Sequence, residues 1–258
     1  MLKIWPVLLL GCLSFCIQAE TIFKVAYEND LQFPYYLGRS SAVPADKPGT
    51  AVELVKLLEV KIPGLKIELV RYPWSRCLLN LKRGLVDGIF NASYLEKRLR
   101  IGRYPWKNGA VDTDRRLTTI AYYFYKPKGG TFNWDGKKIS DPAMVVAAPL
   151  KYSIVNDLNN MKVNVLEVHT SVSTLNKLVH KLVKVAALQE VTGDYYLNHF
   201  PQFKGLVKVE PVLKVKPYYL MISHQFSEKH PQLIETIWDT VAKLRAEELP
   251  RLTKKYIQ

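Results

Sequence analysis

RYPWSRCLLNLKRGLVDGIFNASYLEKRLRIGRYPW, residues 71–106, is the stretch whose reading decides the fold. Leu78, Leu79, Leu81 and Leu85 have the apolar spacing of an amphipathic helix, and Gly84 stops it. Val86 to Phe90 is a short apolar run with the length of a buried strand. Asn91–Ala92–Ser93 is then a polar exit into a second helix. Ser93 with Glu96 three residues on forms a capping box that predicts a helix start at Tyr94. A helix start at the carboxyl end of a buried strand is where α/β sheets hold anions. Arg98 lies one turn further on, with a fork that grips a carboxylate at two points. The rival for Arg98 is an ion pair with a surface acid.

The order of helix, Gly, hydrophobic–Asp–small, strand, Ser and then Arg five residues later resembles the periplasmic solute-binding proteins for amino acids and related polar solutes, the family 3, type II group. The resemblance spans essentially the whole chain after residue 19, and this block lies closest to the pattern. It implies an α/β fold of two lobes joined by two hinge crossings, with the ligand in the cleft between them. It implies that Ser93 and Arg98 hold a ligand carboxylate, with Asn91 beside them. Glu28, at the end of the first strand and before the Phe33–Pro34–Tyr35–Tyr36 loop, either meets a ligand ammonium or is a solvated strand end. Trp74 is either a wall on which a ligand stacks or half-buried packing. Glu190 matches the family's acidic residue for the ligand's amino group; otherwise it is a favourable acid near a helix start. The departure is Pro149–Leu150–Lys151–Tyr152, where the family has a Gly-rich turn. Tyr152 puts bulk at the ligand's edge and leaves room for a dicarboxylate or another small acid in place of an amino acid.

Along the chain, strands alternate with helices twice. Thr21–Tyr27 is the first strand. Thr50 with Glu53 is a second capping box, opening a helix whose Val52, Val55 and Leu58 face the core. Residues 107–119 form a polar insertion, read as a solvated loop or a partner-docking loop. Ile120–Tyr125 is the first crossing, and strands follow at 144–148, 163–168 and 183–188, with helices over 153–161 and 171–181 and another from Thr192. Leu213–Pro217 is the return crossing, Tyr218–Ser223 a strand, and 226–256 the closing helices, broken at Pro250. The expected lobes are residues 20–119 plus 217–258 and residues 120–216.

Residues 1–19 read as a secretory signal peptide: Lys3, an apolar core from Ile4 to Ile17, and cleavage after Ala19. The rival is lipidation at Cys12 in Leu9–Leu10–Gly11–Cys12. Beyond this leader one cysteine remains, Cys77, read as a small buried hydrophobe with no disulfide open to it. At 48% hydrophobic and 23% charged, without low-complexity runs, the composition excludes disorder. Net charge is +14, or +13 with Lys3 set aside, which favours acidic ligands or surfaces. The basic residues are dispersed, so nucleic acid is not an expected partner. The five histidines lack ligand spacing, so no metal site is expected, and no cofactor is. These readings converge on a periplasmic monomer that captures a small carboxylate-bearing solute by lobe closure, for an ABC-type permease. The alternatives are a sensory module feeding a membrane receptor and, on the same fold, a dehydratase-like enzyme.

Overall fold

A computed structural model describes residues 20–139, 141 and 143–257. The leader and the Cys12 alternative lie outside them. The chain begins with three parallel strands threaded by two helices. These are β1 (Thr21–Glu28), α1 (Thr50–Lys61), β2 (Leu65–Tyr72), α2 (Trp74–Lys82) and β3 (Gly88–Ser93). A small hairpin, β4 (Trp106–Lys107) and β5 (Ala110–Val111), precedes the ten-residue β6 (Thr118–Pro127). A second alternating run follows: β7 (Val145–Pro149), α3 (Ser153–Asn160), β8 (Asn164–Val168), α4 (Ser171–Val179), β9 (Val185–Gln189) and α5 (Glu190–His199). The chain returns through β10 (Leu206–Ile222) and ends in α6 (His224–Lys229) and α7 (Pro231–Ile257).

Eight of the strands form one sheet in the order β2-β1-β3-β10-β6-β9-β7-β8, and β4 and β5 pair apart from it. The inner strands carry apolar residues on both faces, as in VAALQ of β9, which is buried throughout. Such strands are stable only where helices cover both sides of the sheet. The 17 residues of β10 extend roughly 55 Å at about 3.3 Å each, enough to run from one alternating unit to the other. Its first part pairs with β6 at Leu206–Val209, its middle with β6 at Lys214–Tyr218, and its end with β3. The expected return crossing and following strand are therefore a single strand.

Several local expectations give way to tertiary contacts. No helix starts at Tyr94. The β10 ladder carries β3 through Ala92 and Ser93, and only a 3-10 turn, Glu96–Arg100, follows. The Ser93 hydroxyl caps nothing, because strand pairing removed the helix start it would have served. Thr50 does not cap either. Gly49 occupies the cap position, and the Glu53 carboxylate instead accepts from Tyr256 Oη and Lys255 Nζ of α7. Pro250 does not break α7, which continues so that Leu252 and Tyr256 reach the core. In α2 the buried face is Trp74, Cys77 and Leu81, while Leu79 and Leu85 are exposed. Helix α5 begins at Glu190, two residues before the expected start.

The 107–119 segment is pinned down. Arg115 bridges to Glu235 at 2.5 Å and Asp239 at 2.7 Å on α7, and Asp112 caps the turn by accepting from the Asp114 N–H. Cys77 is free and fully buried, and burial pushes its thiol far above the usual range.

Candidate functional site

The carboxyl ends of β1, β3 and β9 and the starts of α2 and α3 converge on one small, partly open cavity of about 10 Å³. This is where α/β sheets gather ligand-binding groups. Asn91 enters it through a bulge. Between the Tyr219–Ala92 and Met221–Ile89 pairs, β3 carries one residue more than β10. Asn91 absorbs the difference in the left-handed region, φ 54°, which Asn tolerates better than most residues. Its Oδ1 and Nδ2 are both buried and unpartnered among the described residues, as is the Ser93 hydroxyl two residues on.

Arg98, 5% exposed, comes back toward the strand from the 3-10 turn. Its Nη1 donates to the Ser93 carbonyl at 2.8 Å and its Nη2 to the Lys151 carbonyl at 2.9 Å. The guanidinium carbon lies 5.5 Å from the Trp74 ring centroid. Among the described residues it has no carboxylate partner. The Lys151 carbonyl also accepts from Trp74 Nε1 at 3.3 Å, so that turn closes onto both residues. Lys151 itself stands at φ 63°, the conformation that turns its carbonyl this way.

Opposite them, Glu28 ends β1 and is buried. Its Oε2 accepts from Tyr36 Oη at 3.3 Å and from Tyr152 Oη. Burial pushes the carboxyl up to about 8; Asp30 adds to this, while the two tyrosine hydroxyls and Arg71 pull the other way. Burial, followed by the field of Glu28, raises the Tyr152 hydroxyl well above 10. Tyr152 lines the site with its hydroxyl donating to Glu28.

Arg98, Ser93, Glu28, Trp74, Asn91 and Tyr152 thus line a single cavity. Glu190 does not. Its Oε1 accepts from Lys208 Nζ at 2.9 Å, and the same lysine bridges Asp194 at 2.7 Å. The strand end turns Gln189 inward and leaves Glu190, the first residue of α5, facing outward. The amide that takes the inward place has Nε2 donating to Tyr122 Oη at 3.4 Å and a buried, unpartnered Oε1. Ser153 and Tyr218 also line the cavity, with the Tyr122 hydroxyl 2.6 Å behind that of Tyr218. The sequence reading does not find these. The one signal for Gln189 is its place at the end of an apolar strand, beside Glu190.

Gln32, fully buried, was also missed. Its Nε2 donates to Tyr152 Oη at 2.6 Å and to Ser171 Oγ at 3.1 Å, and its Oε1 accepts from Thr192 Oγ1 at 3.0 Å. Phe33 stacks on Tyr195 at 4.5 Å beside it. The β1 loop is thereby fastened to the turn before α3 and to α4 and α5. Among the described residues no group of three His, Cys, Asp or Glu is placed to hold a metal, and no helix is long and apolar enough to cross a membrane.

No protein-family model and no curated protein sequence matches the chain. Many solved structures do match in shape. One is the GluR0 ligand-binding core from Nostoc punctiforme in complex with L-glutamate, with TM-score 0.67 and 16% identity over 91% of this chain and 98% of that one. An ancestral arginine-binding protein bound to glutamine gives 0.70 and 15%, over 91% and 97%. An ancestral amino-acid-binding protein described as a precursor of cyclohexadienyl dehydratase gives 0.68 and 14%, over 92% and 95%. At such identities the likeness is one of fold, and the fold of this chain is that of the two-lobed, type II solute-binding proteins.

Proposed function

We propose that this chain is a periplasmic solute-binding protein that captures a small polar, carboxylate-bearing solute by closing two lobes over it, for an ABC-type importer. The lobes are residues 20–119 plus 217–258 and residues 120–216, with β6 and β10 as the crossings. The single observation that carries the reading is Arg98. It is a buried guanidinium without a carboxylate partner among the described residues, in a cavity whose Asn91, Ser93 and Gln189 atoms also lack partners. Buried polar atoms are almost always hydrogen-bonded, so a cluster of orphans beside a cation marks where a ligand's oxygens sit. Capture follows from differential affinity. A solute that bonds to Arg98 and Ser93 on one side and to the α3 turn on the other stabilises the closed state alone. Export rests on the residue pattern of 1–19, and the mature N-terminus is Glu20 without lipid, which mass spectrometry of exported protein checks.

The test is a thermal-shift screen of small carboxylates, followed by calorimetry on variants. Removing one partner of a desolvated charge pair costs roughly 2–5 kcal/mol, against about 0–1 for an exposed pair. Arg98→Ala therefore weakens binding about thirtyfold or more. Arg100→Ala, at a position outside the cavity, changes it little. A folded Arg98→Ala protein that binds as tightly as the parent removes the anchor.

A further inference from the structure

The 107–119 segment brings two arginines without carboxylate partners together on α7. In its 3-10 turn, Thr113–Arg115, the acids go to Arg115: Asp112, Glu235 and Asp239 all bridge to it. The next residue, Arg116, is left with uncharged partners. Its Nε donates to Thr119 Oγ1 at 2.8 Å and its Nη1 to the Thr113 carbonyl at 2.8 Å. Arg245, on α7, donates Nη2 to the Asp114 carbonyl at 2.9 Å. Its Nε is buried and has no partner among the described residues. A guanidinium carries more N–H groups than these bonds use, so both arginines keep donors in reserve.

Arg116 and Arg245 line one open groove of about 430 Å³, together with the hydroxyls of Thr118, Thr119 and Thr253. The two cations feel each other. Burial, then the field of Arg116, pulls Arg245 below its usual value, against the field of Asp114. Gathering like charges is unfavourable, and an anion held by both removes that cost. Buried donors are nearly always satisfied, so the Arg245 Nε–H marks a position for one of the anion's oxygens. A carboxylate is satisfied by a single arginine fork. A phosphomonoester brings three acceptor oxygens and about −1.5 to −2 of charge, which matches two forks and the threonine hydroxyls. The groove has the size that takes a small organic ligand, and Leu249 and Pro250 give it an apolar side beyond the arginines.

We propose that Arg116 and Arg245 form a second anion site, for the phosphate of a phosphomonoester, built by the 107–119 segment against α7. It shares no residue with the Arg98 cavity and does not depend on the function proposed for that cavity. The experiment is calorimetry on the full chain at about pH 7.5 and about 0.15 M salt, which screens dispersed surface charge. The probes are glycerol 3-phosphate, with glycerol as its control, and phosphatidylcholine vesicles with and without phosphatidic acid. Glycerol 3-phosphate binds and glycerol does not. Arg116→Gln and Arg245→Gln, shown folded by their melting curves, each weaken binding about tenfold or more. Arg245→Lys keeps the charge without the fork and gives a smaller loss. Arg251→Ala, at an exposed arginine of α7 paired with Glu248, leaves binding unchanged. Binding confined to the phosphatidic acid vesicles, and lost in the same two variants, assigns the phosphate to a lipid headgroup. No binding of either probe, an affinity untouched by the Arg116 and Arg245 variants, or an equal loss in Arg251→Ala overturns the site.

Discussion

Glu28 is a buried carboxyl in the wall of the site. Its carboxyl is pushed up to about 8, above the ordinary value near 4.5 that it regains on unfolding. The folded chain therefore binds the extra proton between those values. Its contribution to stability is fully present below about pH 4.5 and is lost as pH rises toward 8, on the order of a few kcal/mol. Tyr36, Tyr152, Asp30, Arg71 and Cys77 face it. Of these only Asp30, itself raised by burial, shares the direction within that window. Glu28→Gln keeps the shape and the uncharged state, so its melting temperature should exceed the parent's near pH 8 and match it near pH 4.5. Asp30→Asn, melted in parallel, isolates the smaller share. A parent whose stability did not fall relative to Glu28→Gln over this range would show that Glu28 stays ionised in the folded chain.

At the scale of elements, the site depends on backbone irregularities in otherwise regular strands and helices. The β3 bulge aims Asn91 inward, and its left-handed φ separates backbone from side chain in an experiment. Asn91→Gly keeps the conformation and removes the amide. It should melt within a few degrees of the parent while binding the identified solute more weakly. Asn91→Ala should lose binding and, in addition, about 1 kcal/mol of stability, because a left-handed Ala is strained. Equal melting of the two variants would mean that the bulge relaxes. Helix α5 shows the opposite constraint. A Cβ on Gly193 would lie 2.4 Å from the buried Tyr125 ring, which donates its hydroxyl to Asp194 Oδ1 at 2.9 Å. Gly193→Ala gains about 1 kcal/mol of helix propensity and loses more to overpacking. Thermal unfolding should show net destabilisation of about 1–2 kcal/mol, and a stabilised variant would refute the packing.

For the whole molecule, the question is what holds the two units together over the cavity. Gln32 makes three buried bonds, to Tyr152 just before α3 and to groups on α4 and α5. Gln32→Ala leaves Tyr152, Ser171 and Thr192 short of a partner while the units are closed, and opening lets water satisfy all three. The closed population should fall, and solute affinity with it, by about tenfold for roughly 1.4 kcal/mol. Small-angle scattering of the solute-free variant should give a larger radius of gyration than the parent. An unchanged radius together with unchanged affinity would place the latch elsewhere, in the Phe33–Tyr195 stack or the Arg39–Tyr196 bond at 3.1 Å.

The sequence by itself determined the alternation of strands and helices and the apolar face of α1, Val52, Val55 and Leu58. Both depend on residues close in sequence, where hydrophobic period is a strong signal. Arg98, Ser93, Asn91, Glu28, Trp74 and Tyr152, up to 124 residues apart, meet at one cavity only through the tertiary fold. The tertiary structure decided the rest. Ser93 and Thr50 lost their capping roles because β10 and α7 offered ladder bonds and side-chain partners from over a hundred residues away. Gln189 rather than Glu190 faces the cavity because adjacent residues at a strand end point in opposite directions, and only the pairing of β9 with β6 sets which one turns inward. Gln32 closes the cavity through groups 120, 139 and 160 residues away, contacts that exist only once the two units have met.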